Sequence, residues 1–554
     1  MKKIKKINDG VKFTIIAVVL IAIFCIAITP VTLQNDTYYT IKIGEHIQNN
    51  GIDMKDPFSW HEDLNYTYPH WLYDLLTYKI YSQFGMMGIY LTTCLLSCIL
   101  GITLFFVSSK ISKNKLISFF VTIGAMYLLK GYIAARAQLV TFILFILSLY
   151  FIEKFLENRK IRYGIGLVLI STLIANLHVA VWPFLFILFL PYIGEYVIAV
   201  LADIIIYRKV EERILKIKIK YSSNNKEALE KFQKELDELQ AKVSKIKVKR
   251  SKAIQNPYKI KITKNKNVKW LILIMIICAF TGLLTPLGDT PYTYLAKTMQ
   301  GNTTQNINEH LPMTIAGQPE VLCTIIIFLA VLTFTKIKIK LSDLFMIGGL
   351  AFLMLESRRQ LSMFSLIGSV ILSKLIVELI TCYDKELLEK INKKILHPFI
   401  IICMIVLVGW QTYDNVKTKY NDKFIDETQY PVKACDYILE NIDLSKARFY
   451  NEYNYGSYMI YRGIPVFIDS RADLYAPEFS GLKDDIFTDF IDVSSIGTFY
   501  EDILEKYNIT HVILYSNSKM SMIIDETKDP HYSKIYKDDL LWVVFFCVVI
   551  VFVL

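Results

Sequence analysis

The sequence lacks the cysteine pattern of disulfide-rich or zinc-binding proteins. Its 554 residues include nine cysteines, and no two of them stand in a CxxC pair. Most lie inside or at the end of apolar runs, and only Cys435 falls in a segment that we predict to be soluble and external. This distribution argues against a disulfide framework and against a cysteine-ligated zinc site.

Charged residues are also scarce, at 20% of the chain, whereas 53% of the residues are hydrophobic. Such a chain is too apolar for a soluble protein with a wet exterior, so the excess must face lipid. The first apolar run, near residues 11–29, lacks a small-residue cleavage site, so we expect it to be a retained anchor.

Apolar runs long enough to approach the thickness of a bilayer recur along most of the chain. They predict a polytopic α-helical membrane protein with about eleven transmembrane helices. The predicted spans are 11–30, 85–107, 116–133, 138–154, 163–177, 179–206, 268–287, 320–335, 342–356, 360–381 and 395–411.

The formal charge of +11 is explained by where the basic residues lie. They cluster in alternate loops, which satisfies the positive-inside rule and places the N-terminus in the cytoplasm. The basic balance therefore predicts topology and no nucleic-acid partner. The clusters are 2–6, 110–115, 159–162, 208–266, 336–340 and 385–394.

This topology divides the chain into membrane and soluble parts. We expect an N-terminal bundle over 1–206, which includes an external loop at 31–83, and a second bundle over 268–411. A cytoplasmic insert at 207–267 separates them. An extracytoplasmic α/β domain at 412–545 and a hydrophobic tail at 546–554 complete the chain.

The insert carries a heptad seam, which predicts a coiled-coil helical hairpin with its turn at 222–225. Regulation or protein contact is one role for it, and an insertion without a catalytic role is the other. The seam residues are Leu229, Phe232, Leu236, Leu239, Val243 and Ile246.

In the external domain, helical patterns at 432–441 and 499–507 alternate with strand patterns at 448–451, 466–469 and 511–515. This alternation predicts a largely parallel sheet. The closing run, 540–554, is short for a span, so we predict a last strand and a tail, with a twelfth crossing as the alternative.

Ionisable residues at the outer membrane boundary are the candidate site, because charge there is costly to keep. Asp36 follows the first span directly. Its carboxylate is placed to take a proton from an acceptor hydroxyl in inverting sugar transfer, or it merely caps the next helix. Tyr39 lies one turn further along that helix.

The rest of the first loop is rich in aromatic and turn-forming residues. Asp56 opens the run Asp-Pro-Phe-Ser-Trp that ends at Trp60, and His70 and Trp71 follow before the second span. These side chains either bind a sugar or sit in the interfacial aromatic belt.

Arginines at external helix ends run against the positive-inside bias. Arg136, Arg358 and Arg359 are therefore candidates for binding a donor phosphate, and the alternative is snorkelling to lipid headgroups. His178 lies at the outer end of the fifth predicted span.

Two further charge pairs lie outside. Glu309 and His310 are candidates for a sugar hydroxyl or a divalent cation, or they are simply solvated. Asp469 and Arg471 end a predicted strand, which is a usual ligand position, and an internal ion pair is the competing account. No other cofactor is implied, and metal ligands are not assigned.

At these residues the chain resembles the bacterial GT-C-fold membrane glycosyltransferases that use polyprenyl-phosphate sugars. The resemblance covers nearly the whole chain apart from the coiled insert. Its motifs are Asp-x-x-Tyr-x-x-x-x-Gly-x-x-Ile at 36–47, Asp-Pro-Phe-Ser-Trp at 56–60, His-Trp-Leu at 70–72, Arg-Ala-Gln at 136–138, Ala-Asn-Leu-His at 175–178, Glu-His-Leu-Pro at 309–312 and the run 466–473. Ala137 stands where the pattern has Pro, and His310 where it has Trp.

The resemblance implies a catalytic aspartate at Asp36, donor-phosphate recognition by Arg358 or Arg359, and acceptor handling by the external domain. The expected partners are a polyprenyl-phosphate sugar, the lipid bilayer of the cell membrane, and an envelope glycan, lipid or protein acceptor. Two alternatives from other classes are a transporter or flippase, which predicts internal repeats that the chain lacks, and a scaffold that binds envelope enzymes.

Overall fold

The computed structural model describes residues 8–206, 209–222, 225–252, 259–314, 317–527 and 531–546. The first part is helical, because helices satisfy the backbone hydrogen bonds of long apolar runs internally. Its helices are α1 Asp9–Ile28, α2 Asn35–Asn50, α3 Trp71–Ser112, α4 Lys115–Leu128, α5 Ala137–Asn158, α6 Ile161–Leu177, α7 Phe184–Ile187 and α8 Leu190–Ile206.

Two charged helices follow, α9 Lys209–Tyr221 and α10 Lys226–Lys252, and they pack against each other. Leu236 and Leu239 of the predicted seam are buried. Of the predicted turn, residues 223 and 224 lie outside the described residues.

A second set of helices completes the bundle, with a short parallel strand pair, β1 Ile260–Lys261 and β2 Ile339–Lys340, beside it. The helices are α11 Val268–Phe280, α12 Thr290–Gln300, α13 Thr303–Asn306, α14 Pro319–Phe334, α15 Leu341–Glu356, α16 Leu361–Tyr383, α17 Lys385–Lys393 and α18 Pro398–Lys419.

Within the described residues, six helical segments are long and apolar enough to cross a membrane. Four shorter apolar helices of 10–17 residues accompany them, so the count of about eleven crossings stays a prediction. The six segments are Asp9–Ile28, Trp71–Ser112, Ala137–Asn158, Val179–Ile205, Arg358–Tyr383 and Pro398–Lys419.

Two glycines shape the entry into the bundle. Gly85 interrupts α3 with φ of 59°, in the region that favours glycine, and so separates an initial segment from the long apolar part. Gly44 of α2 lies against that initial segment, where a Cβ would come within 2.2 Å of the Asp74 carbonyl oxygen. Only glycine allows α2 and α3 to approach so closely.

The C-terminal domain contains α19 Val432–Asn441, α20 Tyr453–Tyr461, α21 Pro477–Ser480, α22 Ile486–Ser495, α23 Tyr500–Lys506 and α24 Lys519–Thr527. Its strands are β3 Phe449–Asn451, β4 His511–Tyr515, β5 Tyr532–Lys537 and β6 Leu541–Phe546, in the order β3-β4-β6-β5. The prediction of a largely parallel sheet is wrong. Only β3 and β4 are parallel, because β5 and β6 form a hairpin whose second strand pairs antiparallel with β4.

The predicted strand at 466–469 is also wrong, because Val466 makes a single bridge to Ser59 in the first loop. This loop, α2 and the C-terminal domain share one hydrophobic core, which includes Ile43, Tyr68 and Phe467. The apolar face of α2 therefore packs against protein. Residues 547–554 of the predicted tail lie outside the described residues.

Candidate active site

A cavity of about 670 Å³ lies where the C-terminal domain meets one end of the bundle. At this end, which we call the site end, α5 and α16 begin and α6 and α15 end. Segments far apart in the chain meet there because helix ends from several spans converge. The polar residues that line the cavity include Asn35, Arg136, Gln138, Asn308, Glu309, Arg358, Arg359 and Asn454.

Asp36 joins this cavity through Arg136. Nε of Arg136 lies 3.0 Å from Oδ2 of Asp36, and Nη1 lies 3.4 Å from Oε1 of Glu309, so one guanidinium bridges two carboxylates. Burial raises the pKa of Glu309, but Arg136 and Arg359 outweigh it, and the pKa lies below its usual value. At neutral pH Glu309 is therefore ionised.

Asp36 does not cap α2. Gln34 is the N-cap residue of that helix and makes no side-chain capping bond, while Asp36 lies in the first turn. The hydroxyl of Thr37 donates to the Ala135 carbonyl at 3.4 Å, which ties the start of α2 to the segment that carries Arg136. The alternative of a purely capping aspartate is therefore wrong.

Arg358 and Arg359 lie in a 3-10 turn between α15 and α16. Their backbone N–H groups donate to the carbonyls of Leu311 and Glu309 at 3.1 and 3.0 Å, which fixes the Glu309 loop beneath them. Burial and Arg359 both lower the pKa of His310, which is therefore neutral at pH 7. Within the described chain, no hydrogen bond or ion pair involves the guanidinium of Arg359, although its charge helps to lower the pKa of Glu309.

A second polar cluster lies beside the cavity. Nδ1 of His70 lies 2.8 and 2.9 Å from the two carboxylate oxygens of Asp74, and its Nε2 lies 3.5 Å from the hydroxyl of Tyr39. The ring of His178 meets that of His70 edge-on at 6.1 Å. His178 is held there because Val179 N–H donates to the Pro69 carbonyl at 2.8 Å.

Three predicted binding residues form a closed internal network. Nη1 of Arg471 donates to Asp56 at 2.6 Å, and its Nε and Nη2 donate to Asp469 at 2.9 and 2.7 Å. The Tyr475 hydroxyl also donates to Asp469. All three charged side chains are at most 3% exposed. The segment is not a sheet strand and its charges are paired, as in the competing account of an internal ion pair. Sugar or acceptor binding by Asp469 and Arg471 stays a prediction.

The two predicted tryptophans are partly buried against the hydrophobic core that the first loop shares with the C-terminal domain. Nε1 of Trp60 donates to the Phe449 carbonyl at 2.9 Å, and its ring packs near His61 and Phe467. Trp60 therefore joins the first loop to the C-terminal domain, and its predicted binding of a sugar stays a prediction. Trp71 begins α3, and its buried indole N–H has no partner in the part of the chain that the structure describes.

Asp74 is the residue that the sequence interpretation missed. It lies one helical turn after His70, and this i, i+4 spacing of a carboxylate and an imidazole is the signal that identifies the pair. In the described ranges no group of three His, Cys, Asp or Glu residues is arranged to hold a metal ion. The candidate divalent-cation site at Glu309 and His310 thus stays a prediction.

No protein-family model and no curated protein matches the chain. Solved structures do. The chain is similar to the archaeal oligosaccharyltransferase AglB from Archaeoglobus fulgidus, solved with an inhibitory peptide and a dolichol-phosphate, at a TM-score of 0.54 and 11% identity over 91% of this chain and 70% of that one. The oligosaccharyltransferase of the same organism in its apo form matches with a TM-score of 0.52 and 11% identity, over 93% and 70%.

At this identity the likeness establishes the fold alone, which is the fold of these oligosaccharyltransferases. Together with the apolar helices it makes the chain a multi-pass membrane protein. The assignment to the bacterial polyprenyl-phosphate-sugar group stays a prediction.

Proposed function

We propose that this chain is a membrane glycosyltransferase that moves a sugar from a polyprenyl-phosphate carrier to an acceptor, with inversion. The observation that carries the proposal is the joint position of Asp36 and Arg359 at the site end, linked by Arg136 and Glu309. A carboxylate and an unpaired guanidinium at the same end of the bundle are the two charges that this reaction needs.

In the proposed step the acceptor hydroxyl attacks the anomeric carbon and passes its proton to Asp36. The bond from that carbon to the phosphate oxygen breaks, and the carrier phosphate leaves with the bonding electrons. Arg358 and Arg359 stabilise the charge that develops on this phosphate. Arg136 holds the Asp36 carboxylate in place, which is a different role from the phosphate binding that the sequence suggested.

We expect this chemistry to lie outside the cytoplasm. The basic loops follow the positive-inside rule, which supports a cytoplasmic N-terminus and an extracytoplasmic site end at the cell membrane. An AglB structure holds a dolichol-phosphate and a peptide, which supports a lipid-linked donor and makes a peptide one candidate among envelope acceptors. The fold likeness does not favour the transporter or flippase alternative.

The test is a transfer assay with purified protein in nanodiscs and a panel of radiolabelled polyprenyl-phosphate sugars. We expect one donor to be consumed, with Asp36→Asn lowering turnover by about 100-fold or more, as for loss of a general base. The matched control is Asp63→Asn in the same loop, whose side chain is 88% exposed. No consumption of any donor by the native protein, or equal turnover in Asp36→Asn, overturns the proposal.

A further inference from the structure

Helix α9 of the charged insert carries apolar residues on two opposite faces. Leu215 and Ile219 are its half-buried apolar side chains, and α9 packs against α10. At 3.6 residues per turn these two positions lie on one side of the helix, so this side is the one that α10 covers. Contact within the hairpin therefore explains this face of α9 and leaves the opposite face unexplained.

The opposite face, which we call the outer face of α9, consists of Val210, Ile214, Ile217 and Tyr221. Their spacings of four, three and four residues align them along the side of the helix away from α10. Their exposed fractions are 54%, 45%, 55% and 84%, so nothing in the described part of the chain covers them. A surface helix normally has one apolar stripe, and a second stripe in water indicates an interaction site.

Basic side chains lie at the edges of the outer face. Arg213 and Lys220 are exposed and follow one edge of the stripe. Lys218 lies near the other edge, where its Nζ is 5.3 Å from the centre of the Phe232 ring of α10. An apolar stripe with cationic edges is the pattern of a helix that lies in the surface of a membrane.

The charge of the hairpin is unevenly divided between its two helices. Residues 209–221 include five basic and two acidic residues, whereas residues 226–239 of α10 include three basic and five acidic ones. The helix with the outer face is therefore positive, and the helix behind it is negative. An anionic partner complements the outer face, whereas a second copy of α9 would bring like charges together.

Helix α9 also begins close to a membrane boundary. Only two residues separate it from Ile206, where α8 and the apolar segment Val179–Ile205 end, and three peptide units reach at most about 11 Å. Nζ of Lys209 lies 3.6 Å from Oδ2 of Asp203, and Nζ of Lys264 lies 2.6 Å from the same oxygen. These ion pairs hold the start of α9 beside the last turn of α8. The positive-inside pattern supports a cytoplasmic position for this boundary.

We propose that α9 binds the anionic lipid surface of the cytoplasmic leaflet. The outer face enters the boundary between headgroups and acyl chains, and Arg213 and Lys220 attract the lipid phosphates. Tyr221 is an aromatic residue of the kind that is enriched at this boundary. The acidic part of α10 then lies on the water side of α9. This role of the insert in lipid binding is separate from sugar transfer and does not depend on it.

The experiment places the photoreactive residue p-benzoylphenylalanine at position 217 of the full chain. The protein is reconstituted in vesicles of equimolar dioleoyl phosphatidylcholine and dioleoyl phosphatidylglycerol. Irradiation links the probe to nearby C–H bonds, and the mass of each adduct identifies the lipid. We expect the anionic lipid to exceed the neutral one by about threefold or more at low ionic strength, and the ratio to approach one in about 0.5 M salt, which screens the surface charges.

The matched control is the same probe at position 216. The Lys216 side chain is 57% exposed, so the site is as open as that of Ile217, but it lies off the outer face. We expect several-fold fewer lipid adducts there. In a second control, Arg213→Gln together with Lys220→Gln should bring the ratio of the two lipids at position 217 close to one.

Thermal unfolding shows whether each variant is folded, and all of these positions are on the surface. Equal lipid labelling at positions 216 and 217, or equal labelling of the two lipids at position 217 at low ionic strength, overturns the proposal. Adducts at position 217 that join two copies of the chain in place of lipid also overturn it, because they identify the outer face as a contact between copies.

Discussion

Nε of Arg136 lies 3.0 Å from Oδ2 of Asp36, although the two residues belong to different helical segments and are far apart in the chain. The contact fixes the carboxylate at the first turn of α2, where the helix dipole also favours negative charge. Arg136 thereby connects the proposed base to the Glu309 loop, which is bonded in turn to the turn that carries the arginine pair.

Arg136→Gln should therefore reduce transfer while leaving the protein folded. Loss of the ion pair frees the Asp36 carboxylate, and misplacement of a catalytic group by about 1 Å can cost about 100-fold in rate. Because the side chains are 25% and 22% exposed, the stability loss should stay at about 1 kcal/mol or less. Turnover and thermal unfolding are measured together. A variant that transfers at the native rate contradicts this role.

Arg471→Met should destabilise the protein strongly. It leaves the carboxylates of Asp56 and Asp469 buried without a counter-charge, and breaking such a pair costs about 3–5 kcal/mol. The matched control is Arg462→Met, because the Arg462–Asp436 pair is partly exposed and should cost about 1 kcal/mol or less. Thermal unfolding in detergent compares the stability of the two variants. An equal loss of stability in both would show that the buried network stabilises the protein no more than the partly exposed pair.

Acid should loosen the contact between the first loop and the C-terminal domain. His61 donates from Nε2 to the Phe467 carbonyl at 2.9 Å, and burial lowers its pKa from 6.5 to about 4. The unfolded chain binds the proton more readily, so stability falls as pH drops from 6.5 towards 4, by at most about 3 kcal/mol.

His61→Gln keeps a donor for the Phe467 carbonyl and removes the titrating group. The variant should lose less stability than the native protein between neutral and acidic pH, measured as the shift in unfolding temperature. An identical acid loss in both proteins would assign the effect to other groups.

Gly44→Ala should separate α2 from α3. The new Cβ would lie 2.2 Å from the Asp74 carbonyl oxygen, which is backbone and cannot yield, so overpacking should cost about 1–3 kcal/mol. Transfer should fall as well, because this contact sets Asp36 relative to His70. Gly124→Ala is the control, since nothing lies within 4 Å of its added Cβ. Equal stability of the two variants would refute the close approach.

Much of the fold can be predicted from local sequence patterns. The helix at Val432–Asn441 and the strand at His511–Tyr515 follow from apolar periodicity, which acts over a few residues. Arg358 and Arg359 stand out in the sequence because external arginines violate a charge rule. These signals are readable without tertiary contacts.

Long-range partners could not be predicted in this way. The pairing of Asp56 with Arg471 depends on how the first loop docks on the C-terminal domain, and no local pattern encodes that docking. The antiparallel direction of the β4–β6 pair could not be predicted either, because a short apolar strand pairs with parallel and antiparallel neighbours alike. The predicted span begins at residue 85, where Gly85 interrupts α3, but the helical segment at 71–84 before it was not predicted.

The most direct test separates donor binding from transfer in one single-turnover experiment on Asp36→Asn and Arg359→Ala. If Asp36 is the base and Arg359 binds the phosphate, Asp36→Asn should bind donor within about threefold of the native protein and transfer about 100-fold more slowly. Arg359→Ala should instead weaken donor binding by about tenfold or more, as for loss of a charged hydrogen-bond donor. Native transfer by Asp36→Asn, or native donor affinity in Arg359→Ala, would contradict a shared site.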